Sequence, residues 1–235
     1  MIPLRSSGEL PAWALQALGY VFVDPALCEV ALTHRSAAAA HNERLEFLGD
    51  AVLNCVVARL LFEVHPGADE GALSRQRASL VSGETLAQVA AELGLGRCLR
   101  LGGGELKSGG FRRASILADA LEAVLGAIFQ DGGYDAVYGV VQRIFAPRLV
   151  SLPPARELKD PKTRLQEALQ GRGMALPLYT LTSVAGEAHE QSFTVSCEVS
   201  ALQIESAGEG PSRRRAEQLA AERALVQLPA DMQKL

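Results

Sequence analysis

The stretch Asn42-Glu43-Arg44-Leu45-Glu46-Phe47-Leu48-Gly49-Asp50-Ala51-Val52-Leu53 determines how the first part of the chain folds. Its three carboxylates, Glu43, Glu46 and Asp50, stand at i, i+3 and i+7, so on an α-helix they lie within about 60° of one another. The other positions are mostly apolar, and a helix that is apolar nearly all round is a buried helix. Carboxylates on a buried helix must be protonated, paired with a cation or bound to a metal ion.

The segment supplies no cation of its own for these acids. No Lys or Arg stands at a matching offset until Arg59, so a divalent cation is the simplest partner. The alternative is that two of the acids are merely solvated near the start of the helix. Leu53 and Val57 continue the acidic face as hydrocarbon, which favours the metal site.

A second acidic pair strengthens this interpretation. Asp119 and Glu122 lie one turn apart among apolar residues in a predicted helix over 116–130, with no cation four residues away. If the two helices pack face to face, Glu46 and Asp50 join this pair in an all-oxygen pocket, the ligand set that Mg²⁺ or Mn²⁺ prefers. A di-iron carboxylate site would need Glu-x-x-His pairs, and neither acidic helix has a His in its stripe.

Composition limits the class of protein. The 235 residues, 48% of them hydrophobic, suffice for a large domain and a smaller one. There is no run of 18 apolar residues and no secretory signal, so we expect neither a membrane span nor export. The four scattered cysteines are typical of a reducing cytoplasm. A net charge of −4 argues weakly against nucleic-acid binding, so such a surface would need local clustering of basic residues.

Helical periodicity extends through the first 152 residues. Asp24-Pro25 is a start signal, and Gly132-Gly133 is a stop signal. The predicted helices are 10–20, 24–36, 42–64, 69–81, 84–93, 116–130 and 134–149, with Ser115 as the N-cap of the sixth. Residues 101–110 form a predicted glycine-rich loop, with Lys107, Arg112 and Arg113 in it or just after it. The loop lacks the G-K-[ST] of a P-loop, so we interpret it as flexible.

The pattern changes after a predicted linker at 153–160, which contains prolines and no periodicity. A short helix at 163–170, three β-like runs at 178–184, 192–199 and 201–206, and a helix at 212–228 predict an α-β-β-β-α unit within 161–230. Its last helix, with Ala216, Leu219, Ala220 and Leu225 facing inward, starts with Arg213, Arg214 and Arg215, where the helix dipole disfavours cations. This placement favours a phosphate against them; a solvated basic turn is the alternative.

Taken together, these segments resemble the ribonuclease III family. Residues 42–53 look like the signature helix of its endonuclease domain, and 18–20, 31–36, 109–113 and 116–119 are also similar to that domain. Residues 163–167, 186–189 and 212–216 are similar to a double-stranded RNA-binding domain. The resemblance implies a mainly α nuclease domain over 1–152 and a small α+β RNA-binding domain over 161–230.

The resemblance also implies roles for individual residues. The catalytic Mg²⁺, for which Mn²⁺ can substitute, would be held by Glu46, Asp50, Asp119 and Glu122. Of these acids, Asp50 and Glu122 would be the indispensable catalytic pair, and Glu43 and Glu70 would support the active-site valley. The RNA contacts would come from Thr163, Gln166, His189, Arg213, Arg214, Arg215, Lys107 and Arg112. Arg215 departs from the family, where Lys is usual, but a phosphate contact tolerates this exchange.

The implied activity is Mg²⁺-dependent hydrolysis of double-stranded RNA to 5′-phosphate and 3′-hydroxyl ends. Two ions about 4 Å apart could stabilise both the attacking and the leaving oxygen. The family works as a homodimer that cuts both strands and leaves a short 3′ overhang, and ribosomal RNA precursors are the implied substrates, with other structured transcripts. Two alternatives stay open. A non-cleaving double-stranded RNA-binding regulator would need a lost acid, and a small-molecule phosphohydrolase leaves the C-terminal unit unexplained.

Overall fold

The structure is a computed structural model that describes residues 9–187, 190–229 and 231–232. The chain divides into two compact units, Met1–Ala155 and Arg156–Leu235. Within the described ranges, no helix is both long enough and apolar enough to cross a lipid bilayer.

The first unit is helical, as its sequence periodicity predicts. Its described helices are α1 (Glu9–Trp13), α2 (Pro25–Ala31), α3 (Glu43–Val64), α4 (Glu70–Leu80), α5 (Gly83–Glu92), α6 (Gly103–Lys107) and α7 (Ala114–Val150). A π-helical turn, Ala14–Leu18, follows α1 directly and ends at Gly19 with φ +66°. The side chains of Asp24, Asp69 and Ser82 each accept a hydrogen bond from a backbone N–H in the first turn of the helix that follows. These caps fix the starts of α2, α4 and α5 close to the predicted positions.

Three details of the helix prediction are wrong. Helix α2 ends at Ala31 and not near Ser36. The backbone of Arg100 forms hydrogen bonds with the Leu32 carbonyl and the His34 N–H, and these bonds hold the segment after Ala31 in a non-helical conformation. The glycine-rich segment 101–110 is not simply a flexible loop, since it contains α6 and the start of a 3₁₀ turn, Gly110–Arg112. Helix α7 begins at Ala114 with Arg113 in the cap position, so Ser115 lies inside the helix and does not cap it.

Helix α7 changes direction at the predicted glycine stop. Gly133 has φ +75° and ψ −168°, a conformation that interrupts the helix and that glycine adopts more readily than other residues. The acidic half before it and the half that follows are therefore two helical segments, as the predicted pair 116–130 and 134–149 requires.

The packing of α3 on α7 forms the centre of the first unit. Leu53 and Val57, which continue the acidic face of α3, are fully buried there, as are Leu121 and Leu125 of α7. The two backbones come close together at a pair of glycines. A Cβ added at Gly49 would stand only 2.5 Å from the carbonyl carbon of Glu122, so only glycine fits at this contact.

The second unit has the predicted α-β-β-β-α order. It consists of α8 (Pro161–Gln170), β1 (Leu178–Ala185), β2 (Ser192–Val199), β3 (Ile204–Gly210) and α9 (Arg213–Gln227). The sheet is antiparallel in the order β1-β2-β3. The prediction of the third strand at 201–206 is wrong in its bounds. A 3₁₀ turn occupies Ser200–Leu202 and Gln203 has φ +53°, so the strand begins only at Ile204.

Alanines form the buried face of α9. Ala216, Ala220, Ala221 and Ala224 are fully buried, whereas Leu219 and Leu225, predicted to face inward, are only partly buried. Small side chains let α9 lie close to β3, where a Cβ added at Gly208 would stand 2.9 Å from the carbonyl carbon of Leu219. The core is completed by Leu165 and Leu169 of α8.

Candidate active site and RNA-binding surface

Three carboxylates converge where α3 packs against α7. One oxygen each from Glu46, Asp119 and Glu122 can be chosen so that all three lie within 4.8 Å of one another. Glu46 lies one turn before Gly49 on α3, and Glu122 lies one turn before Gly126 on α7. The close backbone contact at these glycines therefore brings the acids of the two helices together.

Burial and mutual repulsion disfavour the ionised form of this cluster. The pKa of Glu122 is raised from 4.5 to about 7, chiefly by burial and then by the charges of neighbouring acids, the largest being that of Asp50. Burial is also the main reason why the pKa values of Glu46 and Asp119 are raised. Across the described ranges, no Lys or Arg nitrogen lies within 4.0 Å of these three carboxylates. Among the described residues, the cluster thus has no neighbouring Lys or Arg to neutralise it, as the sequence predicted.

Asp50 lies at the edge of this cluster. It is exposed, and its Oδ1 accepts a hydrogen bond of 3.0 Å from Asn54 Nδ2, one turn along α3. Its carboxylate is not among the three that converge. Its charge still raises the pKa values of Glu46 and Glu122, so it is close enough to interact with both.

Two acids of the cluster, Glu46 and Asp119, line a cavity of about 420 Å³ whose wall includes basic residues. Arg35 Nη1 lies 3.2 Å from Glu43 Oε1, and Arg113 Nη1 lies 3.0 Å from Glu105 Oε2. Neither Arg35 nor Glu105 was a candidate from sequence, although Arg35 lies in a segment that resembles the family. Glu43 was a candidate, and in the structure it orients Arg35 on the cavity wall.

His34 also lines this cavity, and its ring is oriented by neighbouring groups. Its Nδ1 lies 2.8 Å from Ser36 Oγ and 3.2 Å from the Ser36 backbone nitrogen. Ser36 Oγ in turn accepts from the Gly102 backbone N–H at 3.0 Å, which fixes the Ser36 hydroxyl beside the ring of His34. Sequence reasoning did not single out this residue.

The remaining candidates of the first unit are exposed. Glu70 lies in the first turn of α4 and accepts a hydrogen bond of 2.7 Å from Ser74, and it does not line the acidic cavity. Lys107 is exposed in the last turn of α6. The guanidinium of Arg112 lies over the ring of Phe111, with its central carbon 5.1 Å from the ring centroid.

In the second unit, the candidate RNA contacts lie on α8 and α9. Thr163 and Gln166 are exposed on α8, three residues apart. Arg213, Arg214 and Arg215 are exposed in the first turn of α9, which Ser212 caps by accepting from the Arg215 N–H at 3.2 Å. The predicted contact of His189 falls outside the described residues.

Known proteins match both units. A family model described as ribonuclease-III-like matches residues 24–149, and one described as double-stranded RNA binding motif matches residues 161–228. The protein named Ribonuclease 3 in Vibrio vulnificus is 56% identical over 211 residues, covering 90% of this chain and 94% of its own. Ribonuclease 3 of Thiobacillus denitrificans is 56% identical over 219 residues, covering 93% and 97%. A crystal structure of the ribonuclease III nuclease domain of Campylobacter jejuni is 40% identical with a TM-score of 0.56, covering 58% of this chain and 94% of that one.

An acidic pair of helices suited to a metal ion, in one chain with a duplex-RNA-binding fold, defines a metal-dependent nuclease of double-stranded RNA. The chain belongs to the ribonuclease III family, because the family models match both units and the relatives span nine-tenths of its length. It is accordingly a double-stranded RNA endoribonuclease, which confirms the sequence interpretation over the non-cleaving alternative.

Proposed function

We propose that Glu46, Asp50, Asp119 and Glu122 hold Mg²⁺ and that the enzyme uses it to hydrolyse the phosphodiester bonds of duplex RNA. Water would attack the phosphorus and displace the 3′-oxygen, which leaves 5′-phosphate and 3′-hydroxyl ends. The convergence of three carboxylate oxygens within 4.8 Å is the observation that carries this proposal.

The residues present fit a hard divalent cation. All the donors are carboxylate oxygens, which suit Mg²⁺ or Mn²⁺ and suit zinc less well than Cys or His would. The raised pKa values of Glu46, Asp119 and Glu122 support this fit, because a bound cation would offset the cost of ionising these half-buried acids. When bound, the ion supplies a water of lowered pKa and offsets charge on the phosphate oxygens.

The side chains around the acids would hold the RNA strand. Asp50 would turn from Asn54 toward the other acids, because its carboxylate is at the edge of the cluster and is held by one exposed hydrogen bond. Arg35 and Arg113, each oriented by a carboxylate of the cavity wall, would place positive charge against the scissile strand. Glu43 would thus support the site through Arg35. On the basis of the resemblance, we propose that Glu70 supports the active-site valley and that Lys107 and Arg112 bind RNA.

The second unit would grip the duplex. We propose that Thr163, Gln166 and His189 contact the minor groove, and that Arg213 to Arg215 bind phosphates across the adjacent major groove. The exposure of the described residues of this set, on two neighbouring helices, supports this arrangement. We further propose that residues 153–160 act as a linker between a nuclease domain at 1–152 and an RNA-binding domain at 161–230.

We propose a homodimer with one active site in each subunit. Phe47 is 81% exposed and lines a cavity of about 890 Å³, together with the apolar side chains of Leu27, Val30 and Leu48. A projecting ring beside an apolar hollow suits a two-fold interface, because each copy offers both features to the other. Another structure of the Campylobacter jejuni nuclease domain is described as flexible in a region involved in dimer formation of that protein.

The dimer can be tested by sedimentation velocity. F47D should shift the protein to monomer, whereas V150D, at a residue that is 90% exposed, should leave the dimer intact. A dimer that persists in F47D would exclude this surface.

For substrates we propose ribosomal RNA precursors and other structured transcripts, processed in the cytoplasm. Relatives named Ribonuclease 3 come from several bacteria, and all four cysteines are free thiols, as a reducing compartment requires.

The catalytic proposal is tested with labelled duplex RNA. E122Q should abolish cleavage in Mg²⁺, and EDTA should do the same to the unaltered enzyme, while duplex binding measured in EDTA stays close to the wild-type value. E84Q, which changes an exposed glutamate on α5, is the matched control. Loss of binding in parallel with cleavage would show that Glu122 is structural. Cleavage that survives E122Q would favour a different site.

The phosphate role of the arginines is tested through salt. Replacing Arg213, Arg214 and Arg215 by alanine should weaken duplex binding and lower its salt dependence by about one unit of slope for each phosphate that the variant no longer binds. An unchanged slope would exclude these contacts.

A further inference from the structure

A half-buried glutamate lies behind the proposed RNA-binding arginines. Glu217 is on α9, one turn after Arg213, and its side chain is only 13% exposed. Its Oε1 accepts from Arg213 Nε at 3.0 Å, and its Oε2 accepts from Lys162 Nζ of α8 at 2.5 Å. One carboxylate therefore joins a cation at the start of α8 to a cation at the start of α9.

A second hydrogen bond ties the same two helix ends together. Asp160 caps α8 by accepting from the Lys162 N–H at 2.9 Å, and its other oxygen accepts from Gln218 Nε2 of α9 at 2.6 Å. The ammonium group of Lys162 also lies 4.6 Å from the centre of the Tyr179 ring, which holds it in place from the sheet side. The N-termini of α8 and α9 are thus linked at two points.

The geometry at Arg213 leaves it ready to bind an anion. Glu217 engages the Nε atom only, and the arginine side chain is 60% exposed. The two terminal nitrogens of a guanidinium can form a pair of parallel hydrogen bonds to phosphate oxygens. An arginine fixed through Nε keeps that pair available and loses less side-chain entropy when it binds.

We propose that Glu217 is a positioning residue for duplex recognition, which orients Arg213 and sets the spacing between the α8 and α9 contacts. The inference rests on the proposed phosphate role of Arg213. The pKa of Glu217 is lowered, mainly by the hydrogen bond from Lys162, so the carboxylate remains ionised while it holds both cations.

Charge alone predicts the opposite effect, which makes the proposal testable. A negative group beside phosphate-binding arginines should repel RNA, so its removal should tighten binding if Glu217 acts only through its charge. If Glu217 acts by positioning, its removal should weaken binding although the site becomes more positive.

The test measures duplex affinity of the full chain in EDTA at several salt concentrations. E217Q should weaken binding about 3- to 10-fold and lower the salt slope by about one. E217D keeps the charge but is one methylene shorter and cannot reach both cations, so it should also weaken binding. E222Q removes the same charge from an exposed glutamate on α9 and should not weaken binding. Wild-type or tighter binding by E217Q, with wild-type binding by E217D, would overturn the inference.

A double-mutant cycle separates positioning from general destabilisation. In the R213A background, E217Q should weaken binding by much less than it does alone, because the residue through which it acts is gone. Additive losses would show that Glu217 is merely structural. If R213A itself leaves affinity and salt slope unchanged, the proposed phosphate role of Arg213 fails. If R213A weakens binding and E217Q does not, only the positioning inference fails.

Discussion

The close contact between α3 and α7 can be tested by replacing Gly49 with alanine. The new Cβ would stand 2.5 Å from the carbonyl carbon of Glu122, whereas ordinary contacts begin at 3.4 Å. The carbonyl oxygen of Glu122 would be closer still, so the two backbones must separate by at least about 1 Å. Because Glu46 is one turn from Gly49, this separation should draw it away from Asp119 and Glu122.

The expected consequences follow from that displacement. A misplacement of about 1 Å in catalytic groups can reduce a rate about 100-fold, so we expect G49A to lose most of its cleavage activity. Higher Mg²⁺ should restore part of it, because the oxygens that bind the ion no longer converge. Overpacking should also lower the free energy of unfolding by about 1–3 kcal/mol.

The assay is the initial rate of duplex cleavage over a series of Mg²⁺ concentrations, with urea unfolding in parallel. G139A is the matched control, since a Cβ at this glycine of α7 would meet no atom within 4 Å. It should keep wild-type cleavage. A G49A enzyme with the wild-type rate at every Mg²⁺ concentration would refute the claim that this contact sets the distance between the acids.

Three further changes address other features. In EDTA the folded protein holds the Glu122 proton more tightly than the unfolded chain does, since its pKa is raised from 4.5 to about 7. The protonated Glu122 carboxyl should therefore stabilise the fold fully below pH 4.5, and this stabilisation should be lost as the pH rises to about 7. Thermal melts of E122Q should not show this loss of stability. D131A removes the acceptor of the Tyr20 hydroxyl and of two backbone N–H groups, and urea titration should show unfolding easier by about 1–3 kcal/mol with unchanged Mg²⁺ dependence of cleavage. A216L should force α9 away from the sheet and weaken duplex binding in EDTA, with the loss seen as a higher dissociation constant.

Each of these expectations has a clear contrary result. A pH profile of stability that is the same in E122Q would mean that Glu122 titrates normally. A D131A protein as stable as the wild type would show that water replaces the missing acceptor without cost. Wild-type affinity in A216L would mean that α9 can move without disturbing the RNA contacts.

Much of the fold could be predicted because its signals are local. The caps at Asp24 and Asp69 act within three residues, and the spacing of Glu46 from Asp50 fixes their helical face without reference to the rest of the chain. The second acidic pair could be placed beside the first because both are flanked by residues that must be buried. The end of a helix at a glycine, as at Gly133, could also be predicted from the local sequence.

The parts that escaped prediction depend on contacts between distant residues. The early end of α2 follows from pairing with Arg100, and the link from Lys162 to Glu217 joins residues 55 positions apart. The orientation of Asp50 depends on Asn54, whose spacing of four residues is visible in the sequence but does not reveal which way the carboxylate turns. Roles assigned to site residues stay predictions until the variants above are measured.

The row of alanines under α9 has a consequence for redesign of the RNA-binding unit. With methyl groups as the only spacers, the height of this helix above β3 is near its minimum, so nearly every enlargement on its inner side would push it outward. The position of Arg213 to Arg215 is thus set by the buried alanines of α9, which would not contact nucleic acid. A designer who wishes to retune affinity could adjust this hidden layer and leave the outer surface as it is.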